Sequence, residues 1–146
     1  RHPDLRHHGG QVSFPGGRIE ASDVSPAAAA LREAQEEVGL QLEQVTPLGY
    51  LDPLLTITGF RVVPLLSLIT PAFVAIPDPS EVAQAFEVPL ELLLDPQRLE
   101  QKQIHFGGRL RHVLQYRYEQ QRIWGVTASI LFNLRERLAD PSKRSA

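Results

Sequence analysis

Three glutamates, Glu33, Glu36 and Glu37, lie within one alanine-rich stretch of the chain. At about 100° per residue, a helix through this stretch gathers them on one side. Glu33 and Glu37 are then an i,i+4 pair, with Glu36 a turn neighbour of Glu33. Ala27, Leu31, Ala34 and Val38 form an apolar stripe roughly opposite. Like charges so placed cost an isolated helix about a few tenths of a kcal/mol per pair. Arg32, placed i,i+4 before Glu36, is the local cation. Such a patch is either a solvated acidic face or the seat of a hard cation. Carboxylate oxygens suit Mg²⁺, Mn²⁺ or Ca²⁺, and Mg²⁺ is commonly shared with substrate phosphates. Spacing alone does not separate these two readings.

The surrounding residues supply the elements that position the patch. Ser25 suits an N-cap, Pro26 the first helical turn and Gly39 a helix stop. Upstream, Gln11-Val12-Ser13-Phe14 alternates like a short strand, and Pro15-Gly16-Gly17 turns it sharply. This strand, turn, loop and helix lack the Walker lysine and the GxGxxG spacing, so P-loop and Rossmann readings fail. Downstream, Val45 to Leu51 reads as a strand broken by Pro47, and Leu54 to Gly59 as a loop or short strand. Phe60 to Ile69 reads as one buried strand, with Pro64 at an edge or bulge. A loop through Pro71, Pro77 and Pro79 ends near Glu81. Glu81 to Phe86 is expected as strand and Pro89 to Leu94 as a short helix. Gln103 to Phe106 and Leu110 to Tyr118 flank Gly107-Gly108 as a hairpin. Thr127 is expected to cap a last helix from Ala128 to about Leu138, with Ile130, Leu131, Leu134 and Leu138 at helical spacing. The tail 140–146 is expected to fray. Two main helices and a mixed sheet make an α+β domain, layered as α/β/α.

Composition narrows the class. The 146 residues suffice for one domain with a real core, and no repeat or linker divides them. A net charge of −2 carries no general nucleic-acid or membrane signal, and neither partner is expected. The absence of cysteine excludes disulfides, zinc-thiolate sites and a cysteine nucleophile. No apolar run reaches transmembrane length. The chain begins at Arg1 and contains no methionine, so its natural start is expected to be missing, and an earlier strand or signal peptide stays open. His2, His7, His8, His105 and His112 form no helical His-x-x-x-His pair, which speaks against a histidine metal site. Trp124 reads as core bulk or as a stacking surface for adenine.

Gly17 to Leu40 resembles the Nudix box. Arg32-Glu33-Ala34-Gln35-Glu36-Glu37-Val38-Gly39-Leu40 matches its second half, with Ala34 smaller than the usual aliphatic residue. In the first half, Asp23 stands where the pattern has glutamate, and the run from Gly17 to Arg32 is one residue longer. Upstream, Leu5-Arg6-x-His8-x-Gly10-Gln11-Val12-x-Phe14-Pro15-Gly16-Gly17 is similar to the signature of the coenzyme A pyrophosphatase branch of Nudix hydrolases. Thr58-Gly59-Phe60-x-Val62-x-Pro64 and Trp124-Gly125-x-Thr127 are further echoes of that branch.

The resemblance implies a Nudix-like α/β/α sandwich around a mixed sheet. It also implies a cytoplasmic hydrolase of a nucleoside diphosphate linked to another moiety, in which water attacks one phosphorus. Coenzyme A or its thioesters are the expected substrates, giving 3′,5′-ADP and 4′-phosphopantetheine or its acyl form. NADH or ADP-ribose hydrolysis, and a Nudix-fold binding module without catalysis, are the alternatives. Mg²⁺ or Mn²⁺ would offset the diphosphate charge. By motif position, Glu33, Glu36 and Glu37 are the metal ligands, with the Gly17 carbonyl a further one. Arg32 orients the glutamates, and Gly16 lets the backbone approach the phosphates. Glu81 is the outside carboxylate that completes the site, against a plain exposed loop glutamate; Arg6 and Arg18 grip phosphates, against ordinary surface arginines. Many family members dimerise, so a homodimer is allowed, although no stretch of the chain declares an interface.

Overall fold

The structure, a computed structural model, describes residues 10–140. Helix α1 runs Pro26–Val38, as the capping residues dictate. Ser25 is extended (φ −162°) and its hydroxyl accepts from Ala28 N at 3.1 Å. The Tyr50 hydroxyl accepts from Ala27 N at 3.1 Å and satisfies a second amide of the first turn. At the other end Gly39 adopts φ 73°, and the amides of Gly39 and Leu40 return to Gln35 O and Ala34 O. The proline-rich loop closes this end: Ile76 N donates to Val38 O and Asp78 N to Glu37 O, both at 2.9 Å.

Strand β1 (Val45–Tyr50) pairs antiparallel with β4 (Leu65–Ile69), with an irregularity between Pro47 and Gly49. Proline has no amide for the ladder, so the register shifts where the sequence places it. The single strand expected from Phe60 to Ile69 is divided. β3 (Arg61–Val62) pairs with β2 (Leu54–Leu55), whereas β4 joins β1. The division falls at Val63-Pro64, where Pro64 O accepts from Leu51 N at 3.0 Å.

Helix α2 (Leu90–Leu94) agrees with the expected short helix. β5 (Glu100–Phe106) and β6 (Arg109–Tyr118) form the hairpin about Gly107-Gly108, and β5 begins earlier than its residue pattern suggested. β7 (Gln121–Trp124) adds a third antiparallel strand that the sequence reading lacked. Every ladder among the described residues is antiparallel, in sheets of two, two and three strands, so the α+β class holds without the mixed sheet.

Two expected strands are not formed. Residues 11–14 are a strap with no ladder, and the Val12 carbonyl accepts from the Thr127 hydroxyl rather than from a neighbouring strand. Glu81–Phe86 is irregular because Asp78 organises a turn there: its carboxylate accepts from Ser80 N and Oγ, and its carbonyl from the amides of Glu81 and Val82.

Helix α3 spans Val126–Ala139, one turn neighbour of β7, and its N-cap is Gly125 (φ 64°) rather than Thr127. The core lies where α2 and α3 meet β6 and β7: Leu93, Tyr116, Ile123, Ala128 and Leu131 are buried together, and Val12 packs against them. Leu134 is also buried, whereas Leu138 is exposed. No helix among the described residues is long and apolar enough to cross a membrane. Of the tail expected to fray, residues 141–146 lie outside the described residues.

Candidate active site

The strap before α1 is fixed at both ends. Thr127 Oγ1 donates to Val12 O at 3.0 Å, tying the strap to α3. Gly16 N donates to Glu37 Oε2 at 3.0 Å, tying it to α1. Glu37 is thereby buried, 6% exposed, although helical spacing placed it on the polar face. Gly17 lies directly against the Glu33 carboxylate, and a Cβ there would overlap it. With Glu33 in this position only glycine fits at 17; a larger residue would displace the carboxylate.

Arg32 organises the rest. Its Nε and one terminal nitrogen form a two-pronged contact with Asp23 at 3.1 and 3.0 Å. The other terminal nitrogen donates to Glu33 Oε1 at 3.0 Å and Glu36 Oε2 at 3.3 Å. Arg18 O accepts from Arg32 at 3.1 Å. The Asp23 side chain is only 5% exposed and also accepts from Glu20 N at 2.7 Å. The Arg32 hydrogen bonds hold the Asp23 carboxyl below its ordinary value, and the Glu20 amide acts the same way. Asp23 in turn makes Arg32 harder to deprotonate; burial opposes this and Glu33 reinforces it.

Asp23 thus has a role that the residue pattern did not assign. The signal was present, since Asp23 occupies the glutamate position of the box. The structure shows that the longer loop still delivers a carboxylate to Arg32.

The remaining candidates are placed as follows. Glu36 is the outermost glutamate of the helix, its side chain 58% exposed. Arg18 is exposed and stacks its guanidinium on Phe60, 5.3 Å from the ring centroid. Glu81 is exposed on the Asp78 turn, whose Asp78 amide is bonded to the Glu37 carbonyl. The turn is therefore anchored beside the end of α1. Arg6, with the upstream motif residues 5–9, lies outside the described residues.

The structure brings Glu33, Glu36, Arg32, Gly16, Gly17 and Glu37 into one strap-and-helix unit. Among the described residues, no three acidic or histidine side chains converge into a ready-made metal-holding group. The donor chemistry nevertheless suits a hard divalent cation: the Glu33 carboxylate lies against the Gly17 backbone, with the carboxylates of Glu36 and Glu37 on the same helix. Glu33, Glu36, Glu37 and the Gly17 carbonyl are the groups that would hold it.

The helix carries Arg-Glu and Glu-Glu pairs next to a glycine strap within an α+β domain, the arrangement that the Nudix box pattern implies. Residues 1–110 match the NUDIX domain family, and the chain belongs to it. The chain is 43% identical over 130 residues to the uncharacterized Nudix hydrolase NudL of Citrobacter koseri, covering 89% of this chain and 68% of that protein. It is 40% identical over 138 residues to the NudL of Photorhabdus laumondii, covering 94% and 74% of the two chains. With the NudL of Pectobacterium atrosepticum it shares 41% over 140 residues, 96% and 73% of the two lengths. Nudix hydrolases generally use divalent metals and act on small nucleotide derivatives.

Proposed function

We propose that this Nudix hydrolase cleaves the diphosphate bond of coenzyme A or its thioesters, releasing 3′,5′-ADP and 4′-phosphopantetheine or its acyl form, with Mg²⁺ or Mn²⁺. One observation carries the reading. The strap holding Gly10-Gln11-Val12-x-Phe14-Pro15-Gly16-Gly17, the part of the coenzyme A-type motif within the described residues, is bonded to Glu37 and lies against Glu33. The motif that suggests the substrate and the helix that suggests the chemistry therefore belong to one unit.

The bound cation would supply positive charge opposite the diphosphate. The chain's own residues do the remainder. Asp23 and Arg32 fix the side chains of Glu33 and Glu36 before substrate arrives, and preorganised charge is worth more than charge that must be assembled. Gly16 N holds Glu37 through the backbone. Arg18, steadied on Phe60, offers its free edge to a phosphate oxygen. Arg6 is a second phosphate contact in the same reading. Glu81, on the turn anchored to α1, is the additional carboxylate that orients or deprotonates the attacking water.

The test is product analysis with coenzyme A, dephospho-coenzyme A, NADH and ADP-ribose, each with Mg²⁺, Mn²⁺ or a chelator. Metal-dependent release of 3′,5′-ADP from coenzyme A, much faster than cleavage of the others, is the expected result. Preference for NADH or ADP-ribose would retain the Nudix chemistry and discard the substrate assignment.

A further inference from the structure

The three-stranded sheet of β5, β6 and β7 turns one face to the core, and alternation along its strands fixes what the other face carries. Tyr116 and its ladder partner Ile123 lie in the core, so Gln115 and its partners Glu100 and Trp124 belong to the opposite face. By the same register that face carries Lys102 on β5, Arg109, Arg111 and Arg117 on β6, and Arg122 on β7. All five cations are exposed, and Glu100 is the one carboxylate in register with them. The formal net charge of −2 conceals this strip, because carboxylates elsewhere in the chain offset it. From Arg109 to Arg117 the strip runs about 27 Å, and it is about 10 Å wide across the three strands.

The cations are not arranged for the stability of the sheet. Arg117 and Arg122 are direct ladder partners, and like charges so placed are destabilising. Glu100 is shared between Lys102 at 3.4 Å and Arg117 at 3.8 Å. Arg109 and Arg111 have no ion pair among the described residues. Arg122 is positioned by a buried amide: its Nε donates to Gln115 Oε1 at 2.8 Å, and Gln115 Nε2 donates to Glu100 Oε2 at 2.7 Å. Gln115 is only 1% exposed, so a buried side chain is spent on orienting an exposed guanidinium. That guanidinium lies 4.9 Å from the Trp124 ring centroid, and its terminal N–H groups are left for an outside acceptor.

A long, narrow row of cations suits a chain of phosphates rather than a single one. Ile104 and Val113, between the cations, are half-buried and do not project as a lipid anchor would. A guanidinium held on a tryptophan is a stacking surface for an unpaired base, which a duplex keeps inside its own stack. We propose that this basic sheet face binds single-stranded nucleic acid through its phosphate backbone, with Arg122 on Trp124 as a platform for a base. Its length suits the short end of the about 4–16 nucleotides that one sheet-based module covers. The assignment is independent of the substrate proposed above.

The probe is fluorescein-labelled dodecathymidylate, titrated with the whole chain in a chelator so that the Nudix centre is without metal. Anisotropy is expected to rise saturably in about 50 mM salt, and the logarithm of the binding constant to fall linearly with that of the salt concentration, by about 0.7 per neutralised phosphate. The double variant Arg109→Gln/Arg111→Gln should bind about tenfold more weakly, with a slope shallower by about 1.4. Arg109→Lys/Arg111→Lys should keep the wild-type slope. Arg122→Lys retains the charge but not the planar group, so it should weaken binding at an unchanged slope. Metal-dependent hydrolysis of the best nucleotide substrate should be the same in wild type and the double glutamine variant. No saturable binding, or equal affinity of wild type and the double glutamine variant, overturns the proposal. Tighter binding of a twelve-base-pair duplex overturns the single-strand assignment, and capture on phosphatidylserine vesicles without any response to the oligonucleotide gives the strip to a membrane instead.

Discussion

Arg32 holds Asp23, Glu33 and Glu36 at once, so it relieves the repulsion that adjacent helical carboxylates would otherwise suffer. Asp23 sets its orientation, and this has a measurable pH signature. The Arg32 contact stabilises the ionised Asp23 only in the folded chain, so the folded carboxyl releases its proton at lower pH than the unfolded one. The stabilisation is fully present above the unfolded value, about 3.9, and is lost as pH falls through the lower folded value. Thermal melts of wild type and Asp23→Asn should therefore differ by a constant amount from neutral pH to about pH 5, and converge in stronger acid. A gap that widened on acidification would contradict the pairing. Charge and geometry at the glutamates can be tested separately. Glu37→Gln keeps an oxygen for Gly16 N but removes the charge, and kcat should fall about a hundredfold. Gly17→Ala pushes the Glu33 carboxylate aside without touching any charge. A displacement of about 1 Å in a reacting array costs about a hundredfold in rate, and kcat of Gly17→Ala is expected to fall on that scale.

Helix α1 was legible in the sequence because its two ends are written in residues with single physical roles. Ser25 accepts from the first turn, and Gly39 takes the left-handed conformation that other residues resist. Ser25→Ala should cost about 1 kcal/mol of unfolding free energy in a denaturant titration. The α2 helix and the Gly107-Gly108 hairpin were equally readable, from proline, glycine and alternation. Other elements depended on partners that a local pattern does not contain. Gln11 to Phe14 alternates like a strand, yet Thr127, far along the chain, takes the Val12 carbonyl. Phe60 to Ile69 looked continuous because apolar residues on both sides of Pro64 read alike. The change of sheet there is set by β1 and β2, not by the segment itself. β7 is only four residues long, too short for alternation to stand out, and its pairing with β6 defines it. At the site, the box spacing identified the glutamates, but helical geometry alone put Glu37 on the polar face. The tertiary bond from Gly16 buries it instead.

At the scale of the whole molecule, three long-range ties connect the site to the rest of the domain. The Tyr50 hydroxyl holds the start of α1 from the end of β1. Just beyond, Asp52 accepts from Arg137 at 2.6 Å and Asn133 at 2.8 Å, latching α3 to the same region. Thr127 joins α3 to the strap, so one helix supports both the chain that caps α1 and the chain that touches its glutamates. The Thr127 bond is the most informative of the three to cut, because Val12 also packs on the core and the strap would remain present but less constrained. Thr127→Val preserves shape and removes the donor, leaving the Val12 carbonyl without its partner. A lost hydrogen bond of this kind costs about 1–3 kcal/mol, visible as a lower melting temperature. If Thr127 served the core alone, kcat/KM measured well below the melting transition would be unaffected. Because the strap carries Gly16 and Gly17 to Glu37 and Glu33, kcat/KM should instead fall about tenfold. Thr127→Ser, which keeps the hydroxyl and gives up a methyl group, should restore most of the activity while remaining less stable than wild type. Full activity in Thr127→Val would show that Gly16 and Gly17 are held at the glutamates without help from α3.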